Sequence, residues 1–275
     1  MISDSALARE FWARGKSPRC PVIDMHGHMG AHVGSWMPRA TPEAMLRTMD
    51  GCGVRMLVFC HHYALMAPDI GNRPNIEVVR RYPDRFRAYL GVNFNWPDLV
   101  ARDLAAFDDH QDVFVGLKFL AGYHCIPWDA PVCAPAWRLA DDRQLLVLAH
   151  SWGGSAYDGP QQARIIATRY PHLKLLLGHS LHGDWEAAVA LAREFPNVYL
   201  ELTAVLDDRG PLEMFCAAGL SKKLLFGTDL PWFDPHHGIG SVLAAEISDA
   251  DRHNLLHRNA ERLLAGVGVR LGRQP

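Results

Sequence analysis

Residues 21–30 read PVIDMHGHMG, and this stretch indicates a buried strand with a place for chemistry at its end. The apolar residues Val22 and Ile23 lead into His26 and His28, which are separated by one residue. Successive side chains of a strand point to opposite faces, so both histidines share one face. Two imidazoles presented together are suitable nitrogen ligands for a divalent metal ion. Because His-x-His alone is a weak motif, its meaning depends on what the other strands bring to it.

Seven further apolar runs have the length of a strand, at residues 54–60, 87–92, 113–119, 145–150, 173–179, 198–202 and 224–229. Helical patterns such as 161–170 and 185–195 separate these runs, so strands and helices alternate along the chain. The alternation is typical of a parallel sheet, and eight units favour a single closed (β/α)₈ TIM barrel of the α/β class. No strand is followed by the glycine-rich phosphate loop of an open dinucleotide-binding sheet.

The length and composition are consistent with one domain, because 275 residues that are 49% hydrophobic can bury a large core. We expect residues 1–20 to form a lead-in helix and loop, residues 21–265 the barrel, and residues 266–275 a tail. Within the barrel, Thr41 and Pro42 predict the start of a helix, since both residue types are favoured there.

Composition also limits the partners. The formal charge of −2 gives no support for nucleic acid or an anionic membrane as a partner. No run approaches the roughly 18 apolar residues of a membrane span, and the charged amino-terminal region does not resemble a signal peptide. The six cysteines are scattered without a Cys-x-x-Cys pair, which is typical of reduced thiols. We therefore expect a cytoplasmic protein that acts on a small molecule, either alone or as a homodimer.

Five of the predicted strands end on a polar side chain, and the carboxyl ends of barrel strands meet at one mouth. These side chains are His26 and His28, Lys118, His150, His179 and Asp229. Three imidazoles and one carboxylate suit Zn²⁺, with Mn²⁺ or Fe²⁺ as alternatives. We therefore assign one divalent ion to a set of four ligands: His26, His28, His150 and Asp229. Singly, His150 could be a strand-end histidine bonded to backbone and Asp229 a turn former, but their repetition at equivalent strand ends favours the metal.

The other strand-end residues are assigned to catalysis and substrate binding. His179 is the expected catalytic partner of a metal-bound water or a substrate oxygen, as general acid, general base or polarising group. For Lys118 we expect an ammonium that holds a substrate carboxylate or forms an internal salt bridge, with a carboxylated bridge between two metals as the alternative. Glu201 and Asp24 are either supports of the site or ordinary interior carboxylates.

Long loops after the strands are rich in aromatic residues, whereas the turns from helix back to strand are short. In a parallel barrel the long loops at the carboxyl ends of the strands build the active site. We expect Trp152 and Trp232 to bind a flat substrate there, together with Trp36 and Trp128.

These motifs resemble those of the amidohydrolase superfamily, in its amidohydrolase-related branch, over roughly residues 21–264. The resemblance rests on the segments HGH (26–28), AHSWG (149–153), LGH (177–179), FGTDLPW (226–232) and HNLLHRNAERLL (253–264). It implies a mononuclear metal centre in which Asp229 also takes a proton from the metal-bound water. It also implies a closing helix packed under the barrel. Members include hydrolases of amides, esters and lactones, and decarboxylases such as aminocarboxymuconate-semialdehyde decarboxylase.

We favour a metal-dependent hydrolase of a small ester, lactone or amide, in which Asp229 activates water and His179 stabilises the oxyanion or protonates the leaving group. The alternative is a metal-dependent, non-oxidative decarboxylase of a small aromatic or unsaturated acid. A decarboxylase needs a carboxylate clamp more than a hydrolase does, and the sequence offers only Lys118, Arg39 and Arg73. A non-catalytic metal-binding or scaffold protein on the same barrel is a third reading, which the complete ligand set disfavours.

Overall fold

A computed structural model describes residues 4–32, 34–67 and 69–271, in which eight parallel strands form one sheet in chain order. The strands are β1 (Val22–Met29), β2 (Val54–His61), β3 (Phe86–Gly91), β4 (Phe114–Phe119), β5 (Leu146–Trp152), β6 (Lys174–His182), β7 (Val198–Glu201) and β8 (Leu224–Leu225). Helices lie between consecutive strands, so the predicted (β/α)₈ barrel is confirmed.

The barrel closes between β1 and the chain that follows β8. The amide of Met25 donates to the carbonyl of Phe226 at 2.9 Å, and the amide of His28 donates to that of Leu230 at 2.7 Å. Regular strand ends at Leu225 and not at the predicted residue 229, because the amide of Phe226 donates to the carbonyl of Leu255 outside the sheet. Asp229 itself has a left-handed backbone with φ of 58°. The strand prediction was therefore too long, although the segment still pairs with β1 as barrel closure requires.

The helices, in chain order, are α1 (Ala6–Arg14), α2 (Pro42–Cys52), α3 (His62–Met66), α4 (Arg73–Arg81), α5 (Pro97–Ala105), α6 (Ala121–His124), α7 (Ala134–Asp142), α8 (Pro160–Arg169), α9 (Trp185–Glu194), α10 (Pro211–Ala217), α11 (Pro235–Ala244), α12 (Asp249–His253) and α13 (Asn259–Gly266). A π-helical turn, Asn254–Arg258, joins α12 to α13. Thr41 caps α2 as predicted, because its side chain accepts from the amide of Ala44 at 3.3 Å. Among the described residues, no helix is long and apolar enough to cross a membrane.

The closing helix packs against the amino-terminal end of the barrel, as predicted. Ala260, Leu263 and Leu264 belong to the same buried cluster as Ile23 and other inward-facing strand residues. This packing seals one end of the barrel with apolar side chains and leaves the opposite end for the long loops.

Asn259 is the polar residue that fixes this helix to the sheet. Its side-chain amide is buried and donates to the carbonyls of Ser221 at 2.8 Å and Leu224 at 2.7 Å. Leu224 begins β8, so the same amide also supports the shortest strand of the barrel. Burial of these polar groups is tolerated because each has a partner.

We predict that Asn259→Ala lowers the free energy of unfolding by about 1–3 kcal/mol, since the buried carbonyl of Leu224 and the partly buried carbonyl of Ser221 lose their donor. Denaturant unfolding monitored by circular dichroism measures the change. The matched control is Gln161→Ala, which removes an exposed amide from α8 and should stay within about 0.5 kcal/mol of wild type. Equal destabilisation by both substitutions would contradict this role of Asn259.

Candidate active site

A cavity of about 240 Å³ opens at the carboxyl ends of the strands. Its walls are formed by His26, His28, His32, His62, Leu65, Met66, Lys118, Leu120, Tyr123, His150, Trp152, His179, Ala204, Asp229, Trp232 and Phe233. The predicted metal ligands, His179, Lys118, Trp152 and Trp232 are all on this wall, so the barrel brings them together from β1, β4, β5, β6 and the segment after β8.

His26 is oriented by a buried carboxylate. Its Nδ1 lies 2.7 Å from Oε2 of Glu201, which also accepts from the backbone amide of His179 at 3.2 Å. The other Glu201 oxygen accepts from the amide and hydroxyl of Thr203 at 2.7 and 2.6 Å. Because the Nδ1–H of His26 donates to Glu201, the Nε2 lone pair of His26 faces the cavity. A carboxylate that orients a histidine in this way is the usual support of a metal ligand.

His28 presents Nε2 in the same manner. It lies in register with Cys60 of β2 and donates from Nδ1 to the Cys60 carbonyl at 3.0 Å. The two imidazoles of β1 are thus held as the same tautomer by different acceptors, one a carboxylate and the other a backbone carbonyl. Both leave an unshared electron pair directed into the cavity.

Asp229 completes a convergent donor set. Its Oδ1 lies 3.1 Å from Nε2 of His26 and 3.1 Å from Nε2 of His28. Neither contact has hydrogen-bond geometry, so this buried oxygen has no hydrogen-bond partner among the described residues. An orphaned carboxylate oxygen facing two imidazole nitrogens is costly unless a cation sits between them. The donor set therefore fits a divalent metal ion.

The protonation states agree with metal binding. Burial lowers the pKa of His26 well below its usual range, so this imidazole stays neutral. The pKa of Asp229 lies well below its ordinary value, although burial alone would raise it. A neutral imidazole and an ionised carboxylate are the forms that bind a metal.

His179 belongs to the compact part of this set. Ligand atoms of His26, His179 and Asp229 all lie within 4.8 Å of one another. Nδ1 of His179 lies 3.3 Å from the carbonyl of Thr203, to which it donates, and burial lowers its pKa to about 4. Its Nε2 therefore carries the lone pair, and from the same position this nitrogen can bind an ion or contact a substrate.

The backbone around His179 is strained. His179, Ser180 and Leu181 have φ values of 66°, 51° and 56°, which are uncommon for residues with a β-carbon. The hydroxyl of Ser151 stabilises this turn, because it accepts from the amide of Leu181 at 3.0 Å and donates to the carbonyl of Gly178 at 2.7 Å. Each such residue costs about 1–3 kcal/mol, and strain of this kind clusters at functional sites.

His150 lies next to His179 on the cavity wall. Its ring centroid is 4.7 Å from that of His179 and 5.9 Å from that of Trp152. Burial lowers the pKa of His150 well below its usual value, so it too is a neutral imidazole. His150 and His179 are thus adjacent imidazoles beside His26 and Asp229, and His179 is the nearer of the two to this pair.

Lys118 is buried on the floor of the cavity. Its Nζ donates to Nε2 of His26 at 2.7 Å, and its side chain is almost wholly removed from solvent. Burial lowers its pKa, whereas the nearby carboxylates of Asp229 and Glu201 oppose that change. A cationic donor therefore shares the cavity with the convergent ligands.

The aromatic wall differs in part from the prediction. Trp152 and Trp232 line the cavity as expected and are about two-fifths exposed. The expectation is wrong for Trp128, which is fully buried and packs edge-on against Trp137. It also fails for Trp36, which is 89% exposed and is not part of the cavity wall. Loop position alone did not distinguish a core tryptophan from one that faces the ligand.

His62 is a site residue that the sequence reasoning left unassigned. Its Nδ1 donates to the carbonyl of Gly30 at 2.8 Å, and its Nε2 accepts from the indole N–H of Trp232 at 3.1 Å. The ring also stacks on His28, with centroids 4.9 Å apart. His62 thereby fixes both a metal-ligand candidate and the aromatic wall. The only sequence signal was its place directly after β2.

Other mouth residues have structural roles away from the cavity. His236 and His237 are exposed and contact Asp234 and Asp207, at 2.8 Å each. Both arginines named as clamp candidates are exposed as well. Arg39 lies 3.6 Å from Asp234, and Arg73 lies 3.6 Å from Glu77. Of the three candidate clamps, only Lys118 faces the cavity.

A convergent ligand set at the mouth of a (β/α)₈ barrel defines the class, which is a metal-dependent enzyme. The family model described as amidohydrolase matches residues 23–266, and the chain belongs to that family. The predicted resemblance is thus confirmed over nearly the whole barrel. No curated protein matches the chain significantly.

Solved structures share the fold at low sequence identity. An uncharacterised TIM-barrel protein from Bordetella bronchiseptica is 19% identical with a TM-score of 0.74, and covers 90% of this chain and 99% of its own. A 5-carboxyvanillate decarboxylase from Novosphingobium aromaticivorans, complexed with manganese, is 12% identical with a TM-score of 0.73 and coverages of 90% and 97%. A 2,6-dihydroxybenzoate decarboxylase from Rhizobium is 19% identical with a TM-score of 0.69 and coverages of 90% and 99%.

We predict that His150→Ala sharply lowers bound metal while His179→Ala retains it, as the assignment of His150 to the ion and His179 to catalysis requires. Metal analysis of both purified variants by mass spectrometry makes the comparison, with circular dichroism to verify the fold. The exposed His237→Ala serves as control and should match wild type. If the metal is lost only in His179→Ala, then His179 is the metal ligand and His150 the catalytic residue.

Proposed function

We propose that this protein is a metal-dependent, non-oxidative decarboxylase of a small aromatic or unsaturated carboxylic acid. The observation that carries the proposal is Lys118, a buried cation in the same cavity as the convergent ligands. The sequence favoured hydrolysis because a carboxylate clamp was uncertain. A buried ammonium beside the ligand set removes that objection, since a charged donor recognises a carboxylate strongly.

The relatives support this choice over hydrolysis. Of the three similar structures described above, two are decarboxylases, and both are named for aromatic acids, 5-carboxyvanillate and 2,6-dihydroxybenzoate. One of them is complexed with manganese and a substituted nitrobenzoic acid. Membership of the amidohydrolase family is compatible with either reaction, so the proposal depends on the cavity and not on the family alone.

Four side chains would hold the metal: His26, His28, His150 and Asp229. A divalent cation bound there would supply Lewis acidity and orient an oxygen-bearing substrate. Manganese, zinc and iron all accept such a mixed imidazole and carboxylate set, and the manganese in a similar structure makes Mn²⁺ the first ion to test. Glu201 and the carbonyl of Cys60 keep the two β1 imidazoles in the required tautomer.

The chain's own residues then position the acid and handle the proton. Lys118 Nζ would donate to the substrate carboxylate and fix the carboxyl group that leaves. Decarboxylation breaks the carbon–carbon bond, releases CO₂ and leaves the electron pair on carbon, which takes one proton. His179 faces the same space through Nε2 and is our candidate to relay that proton from solvent, with Thr203 holding its ring.

The size and walls of the cavity favour a substrate with one ring. Its volume of about 240 Å³ lies below the ~300–1,000 Å³ range of drug-sized ligand pockets. Trp152, Trp232 and Phe233 offer flat apolar surfaces around the mouth. Such surfaces bind a planar ring by stacking or edge contacts, while the polar floor faces the carboxylate.

Turnover of monocyclic aromatic acids, aryl esters and lactones in deuterated, ¹⁸O-enriched water tests the proposal. We expect CO₂ release, one deuterium on the carbon that carried the carboxyl group, and no ¹⁸O gained by the organic product. Mass spectrometry and NMR of the products read both isotopes. Solvent ¹⁸O in a product acid, without CO₂, would show a hydrolase and refute the proposal.

Lys118→Met tests the clamp in the same assay. We expect kcat/KM for the acid to fall about 10–100-fold, as the loss of a charged hydrogen bond implies, with bound metal retained. Lys222→Met, at an exposed position before β8, should behave as wild type. Two metals per chain in wild type, falling to one in Lys118→Met, would instead show a carboxylated bridging lysine.

A further inference from the structure

A second group of metal-ligand side chains lies at the opposite end of the barrel. Ligand atoms of Cys20, His253 and His257 all lie within 4.8 Å of one another. Cys20 precedes β1, whose other end carries His26, so about 20 Å of strand separates this group from the active site. The cluster therefore cannot share an ion with the candidate active site.

The two histidines are arranged as neighbouring ligands. Nδ1 of His253 lies 3.0 Å from Nε2 of His257, close to the ~3.3 Å between two tetrahedral zinc ligands. Nδ1 of His257 donates to Glu261 at 3.1 Å, which directs the Nε2 lone pair of His257 toward the cluster. This repeats the carboxylate–histidine support seen at His26. His253 precedes a π-helical turn and His257 lies within it, and this rare conformation is found mostly at functional sites.

Cys20, which also packs in the hydrophobic core, supplies a sulfur ligand beside the two imidazoles. The thiol is fully buried, and burial raises its pKa to about 12. The nearby Arg258 opposes that rise in pKa, whereas Glu261, Glu10 and Asp249 add to it, so the thiol stays protonated until a metal binds. A thiolate with two imidazoles is a set that zinc prefers, and a partly exposed His253 gives the ion a path from solvent.

We propose that Cys20, His253 and His257 form a second zinc site. Zinc binding releases the thiol proton of Cys20. The ion also takes the place of the proton that Nδ1 of His253 shares with Nε2 of His257, so His253 then carries its proton on its own Nε2. Water fills the fourth position. In the described part of the chain no cysteine lines the cavity of the candidate active site, so a sulfur-bound ion belongs to the second site.

The site would join the two ends of the chain. Cys20 follows α1, while the histidines flank the junction of α12 with the π-helical turn. Hydrogen bonds already tie these parts together, since Asp249 of α12 accepts from the Ser5 hydroxyl at 2.5 Å and the Leu7 amide at 3.4 Å. Zinc would add a cross-link beside these contacts, and stability would rise with zinc concentration because only the folded chain presents the site.

Cobalt substitution tests this site separately from the active site. The metal-free full chain is titrated with Co²⁺, and the near-ultraviolet thiolate-to-cobalt charge-transfer band is recorded. We expect the band in wild type and in Cys125→Ser, which removes the exposed thiol, but not in Cys20→Ser. His28→Ala should keep the band although it removes an active-site ligand.

His253→Gln covers the case in which Cys20→Ser fails to fold, because His253 is only partly buried. We expect its band to require at least tenfold more cobalt for half-saturation. Absence of a thiolate band in wild type would overturn the proposal. An unchanged band in Cys20→Ser, or an unchanged titration in His253→Gln, would do so as well.

Discussion

The hydrogen bond between Glu201 and His26 is the constraint on which the site depends. One buried carboxylate at the end of β7 fixes the tautomer of a β1 histidine and also accepts from the backbone of His179. A β-carbon on Gly227 would lie only 2.0 Å from Glu201 and 2.8 Å from the β-carbon of His26, so a glycine is needed opposite them. Burial raises the pKa of Glu201, and the neighbouring His179 and Thr203 oppose that rise. The chemistry is therefore built around a carboxylate that does not itself line the cavity.

The two ends of the barrel have different roles: the carboxyl end carries the candidate active site, and the amino end carries packing that stabilises the fold. At the carboxyl end, strained backbone at His179 and Asp229 and an orphaned carboxylate oxygen store unfavourable energy where an ion and a substrate would bind. At the amino end, Leu263 and Leu264 fill the barrel and Asn259 holds β8. Stability is thus concentrated away from the site, which lets the mouth keep polar groups that folding alone would not favour.

Much of this architecture follows from short-range patterns in the sequence. Apolar runs predicted the strands, and Thr41 and Pro42 predicted the start of a helix. The spacing of His26 and His28 predicted that both side chains share one face of a strand. The partnership of Glu201 with His26 could not be predicted, because the residues are 175 positions apart and meet only when the barrel closes. The burial of Trp128 and the stacking of His62 on His28 depend likewise on packing between elements. The sequence favoured hydrolysis for a related reason, since it could not show that Lys118 points into the cavity, and the similar structures agree better with the decarboxylase alternative.

The affinity of the Glu201→Gln variant for Mn²⁺, measured by titration calorimetry, tests the central claim most directly. Glutamine keeps the shape of the side chain but cannot match the carboxylate as an acceptor for His26 and the amide of His179. We predict that the dissociation constant rises about 10–100-fold, the usual cost of losing such a support. Glu186→Gln, at an exposed position of α9, should bind Mn²⁺ as wild type does. Unchanged affinity in a folded Glu201→Gln protein would contradict the account.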